Sequence, residues 1–283
     1  MHLSSGTGIV RVVNRAPLTV EPLGGLCNRM RVIASGYGLA KKIDRPLRIA
    51  WRQDATLNCP FERLFDPMTT DWILEELLGY PLGQHANAGL IGTLLTQPEV
   101  QVLQAEKTDW VELADRDPLH IVSWSEFYHH EHQFEMLPPK LNLMQRVEDK
   151  LATLSARSAG VHVRRTDHSQ SIAHNSIEDF IETMRAMLRE EICDTFFLAT
   201  DSPAAEARIA AALQGRVDTC PKRSLNRNRA DAIEDALVDL YTLARQPCIL
   251  GSYQSSFTQT ACRLGGVVAR FPAAIKTGTA RRP

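Results

Sequence analysis

The strongest constraint on the fold of this chain is an alternation in its second half. Apolar segments of strand length at 159–163, 195–200, 217–220, 248–250 and 267–268 alternate with segments of helical periodicity at 177–190, 203–213, 231–245 and 257–264. Strands repeat every two residues and helices every 3.6, so the two patterns are separable on sequence. Parallel strands need long crossovers, commonly helices, and those crossovers are right-handed, so this half reads as a parallel sheet. Local signals agree. Phe180, Ile181, Met184 and Leu188 share one face of the 177–190 segment, with Ser176 as its cap and Asp179 completing a capping box. Thr200-Asp201-Ser202-Pro203 ends a strand and opens a helix, with Asp201 or Ser202 as cap and Pro203 at the first helical position.

The first half repeats the scheme less clearly. Leu18–Glu21 reads as a strand, Pro22-Leu23-Gly24-Gly25 as a turn, and Asn28 as the start of a helix to about Ile43. Met30, Ile33, Ala34, Tyr37 and Ala40 form the buried stripe of that helix, and Asp44-Arg45-Pro46 ends it. Leu47–Trp51 and His120–Trp124 read as strands, Phe61–Phe65 and Trp72–Leu78 as helical, and Pro138-Pro139 as a hinge or linker. Lys140–Leu154 reads as a helix with Leu143, Val147, Leu151 and Leu154 on one face. The expectation is an α/β chain of two domains, 1–150 and 151–283, with the boundary falling between 138 and 156.

With 283 residues, 44% of them hydrophobic, the chain can supply two cores. A net charge of −1 provides no bulk field for nucleic acid or an anionic membrane, so any anion site must be local. Apolar runs are too short to cross a bilayer. Residues 1–8 lack a charged n-region followed by an apolar h-region, so a cytoplasmic protein is expected. The six cysteines form no CxxC pair and read as buried or incidental thiols. His129-His130-Glu131-His132 lacks the one-turn ligand spacing of a helical metal site and reads as a solvated turn. No metal site is predicted.

Four stretches concentrate chemistry. In Gly160-Val161-His162-Val163-Arg164-Arg165-Thr166-Asp167-His168 an apolar strand runs into two adjacent arginines. In open α/β sheets ligands bind beyond the carboxyl ends of strands, and the guanidinium fork suits phosphate. Gly24-Gly25-Leu26-Cys27-Asn28-Arg29 joins a strand to a helix, where paired glycines admit close backbone approach, but it is neither GxGxxG nor a P-loop. Asp231, Asp235 and Asp239 fall at i, i+4, i+8 of one helix. Solvation accounts for all three, whereas a purine edge accounts for Asp239 alone. Ser252–Gln259 opens a helix with serines, which either cap it or form a second anion site.

In this order, the Gly24–Arg29 loop, the HVRRTD run at 162–167, Leu198-Ala199-Thr200-Asp201 and the region from Val238-Asp239-Leu240 through Ser255-Ser256-Phe257 to Cys262-Arg263 resemble the α-1,6-/α-1,2-/protein O-fucosyltransferase superfamily. The resemblance is to the α-1,6 branch and covers roughly 18–52 and 157–270. It implies a GT-B fold, two Rossmann-like doubly wound domains facing a cleft. The acceptor side would be in 1–150 and the GDP-sugar site in 151–283. It further implies GDP-fucose as donor, GDP as product, a glycan acceptor, inversion at the anomeric carbon, and neither metal nor cofactor. Arg164 would bind the β-phosphate, with Arg165 and Asp201 beside it, and His162 and Asp239 the guanine end. Ser255 and Ser256 would meet the phosphates, and Gly24, Gly25 and Asn28 would line the facing wall.

Some α-1,6 members carry a carboxylate shortly after HxRR as candidate general base. Here His168-Ser169-Gln170-Ser171-Ile172-Ala173-His174 holds no acid, so His168, His174 or Glu126 would take that role, with His168 and Arg164 as the expected catalytic residues. A transferase for another nucleotide sugar and a non-catalytic nucleotide-binding protein are the alternatives on this scaffold.

Overall fold

The computed structural model describes residues 15–66, 72–77, 92–130, 134–165 and 176–272. The chain divides into two compact units. The first is built on β1 (Leu18–Pro22), β2 (Leu47–Arg52), β3 (Trp72–Leu77), β4 (Thr93–Leu95) and β5 (Leu119–Ser123), all parallel, in the order β3-β2-β1-β5-β4. Helix α1 (Leu26–Lys42) follows β1, and α2 (Gln97–Ala105) and α3 (Trp110–Arg116) lie between β4 and β5. From β1 the chain steps outward to β3, then fills the other side of β1. The carboxyl ends of β1 and β5 therefore flank a topological switch point.

Three readings are corrected here. Trp72–Leu77 is an edge strand paired in parallel with all of β2, from Leu47 opposite Trp72 to Arg52 opposite Leu77. Its leucines and glutamates favour helix locally, but an open sheet edge outweighs that weak preference. Helix α1 begins at Leu26, which places Asn28 in its first turn rather than at the cap. Gly24 makes the early start feasible, because its φ of 77° turns the chain directly out of β1. The stretch at 61–65 contributes only a 3-10 turn, Phe61–Arg63.

The second unit takes in Gly24–Arg29 and Gln53–Asp66 and the described chain from Leu137 onward. Its sheet comprises β6 (Ser158–Val163), β7 (Thr195–Thr200), β8 (Val217–Asp218), β9 (Ile249–Leu250) and β10 (Ala269–Arg270), parallel, in the order β10-β9-β6-β7-β8. Its helices are α4 (Leu141–Leu151), α5 (Ile177–Arg189), α6 (Pro203–Ala212), α7 (Ala230–Ala244) and α8 (Ser256–Gly265), and α4 packs on α7. Val161, Val163, Phe180, Met184, Phe196, Leu198, Ile209 and Leu250 are buried in one core. The capping box of α5 forms, with Ser176 accepting from the Asp179 amide. Ser202 rather than Asp201 caps α6. The last strand lies two residues later than 267–268 because α8 ends at Gly266 in a left-handed turn (φ 65°). Pro138 and Pro139 are tied to the 64–66 segment, with the Pro138 carbonyl accepting from the Asp66 amide at 2.9 Å.

The aspartate face of α7 also departs from the solvated reading. Asp235 is fully buried between Arg146 and Arg223, and Asp239 is buried against Lys222. Only Asp231, paired with Arg229, stays partly in water. The cause is tertiary: α4 and the 220–223 loop bring three cations onto this face, which removes the like-charge penalty.

Candidate functional site

In the second sheet β6, β7 and β8 step to one edge while β9 and β10 fill the other side of β6. The switch point therefore lies between the carboxyl ends of β6 and β9. Arg164 and Arg165 follow β6 and Ser252 follows β9. Ser252 staples the two ends: its hydroxyl donates to the His162 carbonyl (3.0 Å) and accepts from the Arg164 amide (2.9 Å). At the end of the neighbouring β7, the Asp201 carboxylate accepts from the Arg165 amide (2.8 Å) and pairs with Arg164 Nη1 (3.1 Å). Arg164 is thus held from both flanking strands, its backbone by Ser252 and its guanidinium by Asp201, while its side chain stays 21% exposed.

Behind it lies His162, buried, with its ring stacked on Phe257 at 4.7 Å between centroids. Its Nδ1 is 2.8 Å from Thr258 Oγ1, which already accepts from the Ser252 amide. Burial, reinforced by the Arg164 charge, pushes the imidazole down to about 3, so it is neutral. Thr258 belongs to α8, whose cap Ser255 is buried and whose first turn contains no acid. The first amides of that helix therefore present an uncontested positive end, with Ser256 half-buried among them.

Asp239 sits in the same unit, with Oδ2 2.7 Å from Lys222 Nζ. Oδ1 is buried without a well-formed hydrogen bond, and the Cys220 thiol lies beside the carboxylate. Burial raises the carboxyl to about 6 against the pull of Lys222. It also pushes the Cys220 thiol up to about 12, leaving it inert. All six cysteines are among the described residues, and none is in a disulfide.

The glycine loop is held by Arg29, which is fully buried. Its Nε donates to the Gly24 carbonyl (2.7 Å), and its Nη2 meets Thr56 Oγ1 (3.3 Å) and Asp54 (3.1 Å). A side chain at Gly25 would meet no atom within 4 Å, so the space beside this backbone is open. Asn28 is half-buried in the next turn.

His168, His174, Glu131 and His132 lie outside the described residues. In the first unit Glu126 Oε1 is 2.9 Å from His129 Nδ1. Among the described residues no three His, Cys, Asp or Glu side chains converge as metal ligands, and no helix is long and apolar enough to cross a membrane.

No family model and no curated protein matches the chain. Solved structures do. The fucosyltransferase NodZ from Bradyrhizobium superposes with a TM-score of 0.58 at 18% identity, covering 87% of this chain and 93% of that one. NodZ, an α-1,6-fucosyltransferase, is also known from a crystal soaked with GDP-fucose. POFUT1 in complex with GDP-fucose gives 0.58 at 12% identity over 92% of this chain and 99% of that one. Arabidopsis thaliana FUT1, as a mutant in complex with GDP, gives 0.56 at 13% identity over 89% and 69%.

The fold is GT-B.

Within this GT-B chain the second unit brings together Arg164, Arg165 and Asp201, joined through Ser252 to His162 and α8. Reading the sequence missed Ser252, Thr258, Lys222 and Arg29 as organising residues. Ser252 and Thr258 stood within a recognised serine-rich stretch, so the signal was present without the partner. Arg29 closed a recognised loop without its role being visible, and Lys222 had no local signal, because its buried acceptor Asp239 lies 17 residues on.

Proposed function

We propose that this protein is an inverting, metal-independent glycosyltransferase that moves fucose from GDP-fucose to a carbohydrate acceptor. The observation that carries the reading is Arg164 at the switch point, its guanidinium paired with Asp201 and its backbone held by Ser252, which also bonds Thr258 in the first turn of α8. That set suits a diphosphate leaving group. Transfer breaks the bond between the anomeric carbon and the β-phosphate oxygen while an acceptor hydroxyl attacks the opposite face. Negative charge grows on the departing diphosphate, and preorganised cations and helix-end amides stabilise it most at that stage.

In this reading Arg164 takes the β-phosphate, with Arg165 and Asp201 shaping its setting. Ser255 and Ser256 meet the phosphates, and Gly24, Gly25 and Asn28 of the same unit offer open backbone to the donor. The neutral His162 lines the nucleoside side. Asp239 receives guanine, whose N1–H and 2-amino group are the two adjacent donors a carboxylate matches. His168 receives the acceptor proton as the general base. The likeness to fucosyltransferases solved with GDP-fucose and GDP supports the choice of donor.

Thermal shift against GDP, ADP, UDP and GDP-fucose tests it. Linkage predicts stabilisation of about 3 kcal/mol at a hundredfold excess over Kd for GDP and GDP-fucose only. Arg164→Ala should abolish that shift and transfer together while the unliganded melting temperature holds. Absence of a GDP shift in the wild type sinks the donor assignment. Retained transfer in the variant removes Arg164 from the site. Slow hydrolysis of GDP-fucose without acceptor separates an enzyme from a binding protein.

A further inference from the structure

The first sheet has a switch point of its own, between the carboxyl ends of β1 and β5, and its chemistry differs from that of the second. The residue leaving β5 is Trp124, whose side chain is 45% exposed. A single exposed apolar residue carries no information by itself. The setting of this one does. Its backbone is clamped on both sides: the amide donates to Gln97 Oε1 (2.9 Å), and the carbonyl accepts from Arg31 Nη2 (3.4 Å). Gln97 is itself buried, accepts from the Ser123 hydroxyl (2.7 Å) and donates to Ser125 Oγ (2.8 Å). A buried amide network thus fixes the backbone that carries a half-exposed indole at the strand end where a doubly wound sheet binds its ligand.

Two residues on, Glu126 faces His129 at 2.9 Å. A carboxylate there disfavours a phosphate. It does offer strong acceptors, and the imidazole a donor or acceptor, to a neutral ligand rich in hydroxyls. A pyranose has that character, with an apolar C–H face that packs on the negative face of an indole and equatorial hydroxyls around its rim.

We infer that the carboxyl end of β5 is a carbohydrate subsite in which the Trp124 indole stacks against a neutral sugar ring of the acceptor and the Glu126–His129 pair engages its hydroxyls. The assignment of that sugar as acceptor rests on the glycosyltransferase reading. The stacking site itself does not.

The test uses the full chain with tetrasaccharides of glucose, mannose, galactose and N-acetylglucosamine as probes. Trp51 and Trp110 are buried and Trp72 is half-buried, so Trp124 dominates acrylamide-accessible fluorescence, and Trp124→Phe defines that component by its loss. At least one tetrasaccharide is expected to protect the component. Trp124→Ala should weaken its binding about tenfold by saturation-transfer NMR, Trp124→Phe less, with the melting temperature and the GDP shift unchanged in both. Failure of every tetrasaccharide to protect Trp124, or undiminished binding by Trp124→Ala, overturns the site. Protection by a tetrasaccharide in a chain that shows no GDP shift would sink the donor reading and leave this site standing.

Discussion

Replacing His162 by Phe isolates one consequence of the second unit's architecture. The imidazole is buried, stacked on Phe257, and bound through Nδ1 to Thr258, and its protonated form is pushed down to about 3 from an ordinary value of 6.5. The unfolded chain therefore binds a proton near pH 6.5 that the folded chain refuses until about pH 3. For a base depressed in this way, the wild type loses stability as pH falls below 6.5, by about 1.4 kcal/mol per unit. Between pH 7 and pH 4.5 the loss from this residue is about 3 kcal/mol. Phenylalanine keeps a ring against Phe257 and does not titrate, so the variant escapes that loss. Urea denaturation of both proteins at the two pH values should show the wild-type advantage shrinking by that amount, whatever its size at pH 7. The His162 ring signals should stay in their neutral positions down to pH 4.5. A pH-independent difference, or a ring titrating near 6.5, would refute the burial argument.

Three further outcomes are expected. Asp235→Ala removes a fully buried carboxylate from Arg146 and Arg223 and should cost about 2 kcal/mol, less than the about 3–5 kcal/mol of a wholly buried pair because both arginines are part-exposed and can relax toward water. Burial opposes the charge of Asp235 but Arg223 and Arg146 outweigh it, so its carboxyl is held low. Its stabilisation is accordingly present at neutral pH and lost in acid, and urea melts at pH 7 and pH 3 check both points. Gly251→Ala would set a Cβ 2.2 Å from Thr258 Cγ2, and should destabilise by about 1–3 kcal/mol and weaken the GDP shift through the Thr258–His162 contact. If Asp239 receives guanine, GDP affinity should fall as pH drops through about 6, where its carboxyl protonates, and calorimetric titration between pH 8 and pH 5 reads this directly.

Legibility differed between elements for physical reasons. The strands at 159–163 and 195–200 and helix α5 with its capping box are specified by neighbours within a few residues, and the structure has them where the patterns lie. Trp72–Leu77 misled because an edge strand buries little and its composition suits a helix; only pairing with β2 decides its state. The arginine pair after β6 was visible as chemistry. Its organisation was not, since Asp201 and Ser252 reach it from the ends of β7 and β9.

By itself, the sequence determined the alternation of strands and helices in the second half, hence its parallel sheet, and the concentration of cationic side chains at the end of one central strand. These follow from periodicity and capping, which are properties of short stretches. Tertiary structure alone decided which charges are buried and which groups can titrate. Asp235 and Arg146 are 89 residues apart, and His162 and Thr258 are 96 apart. No local pattern encodes such pairings, because dielectric environment and charge partners exist only once the chain has closed on itself.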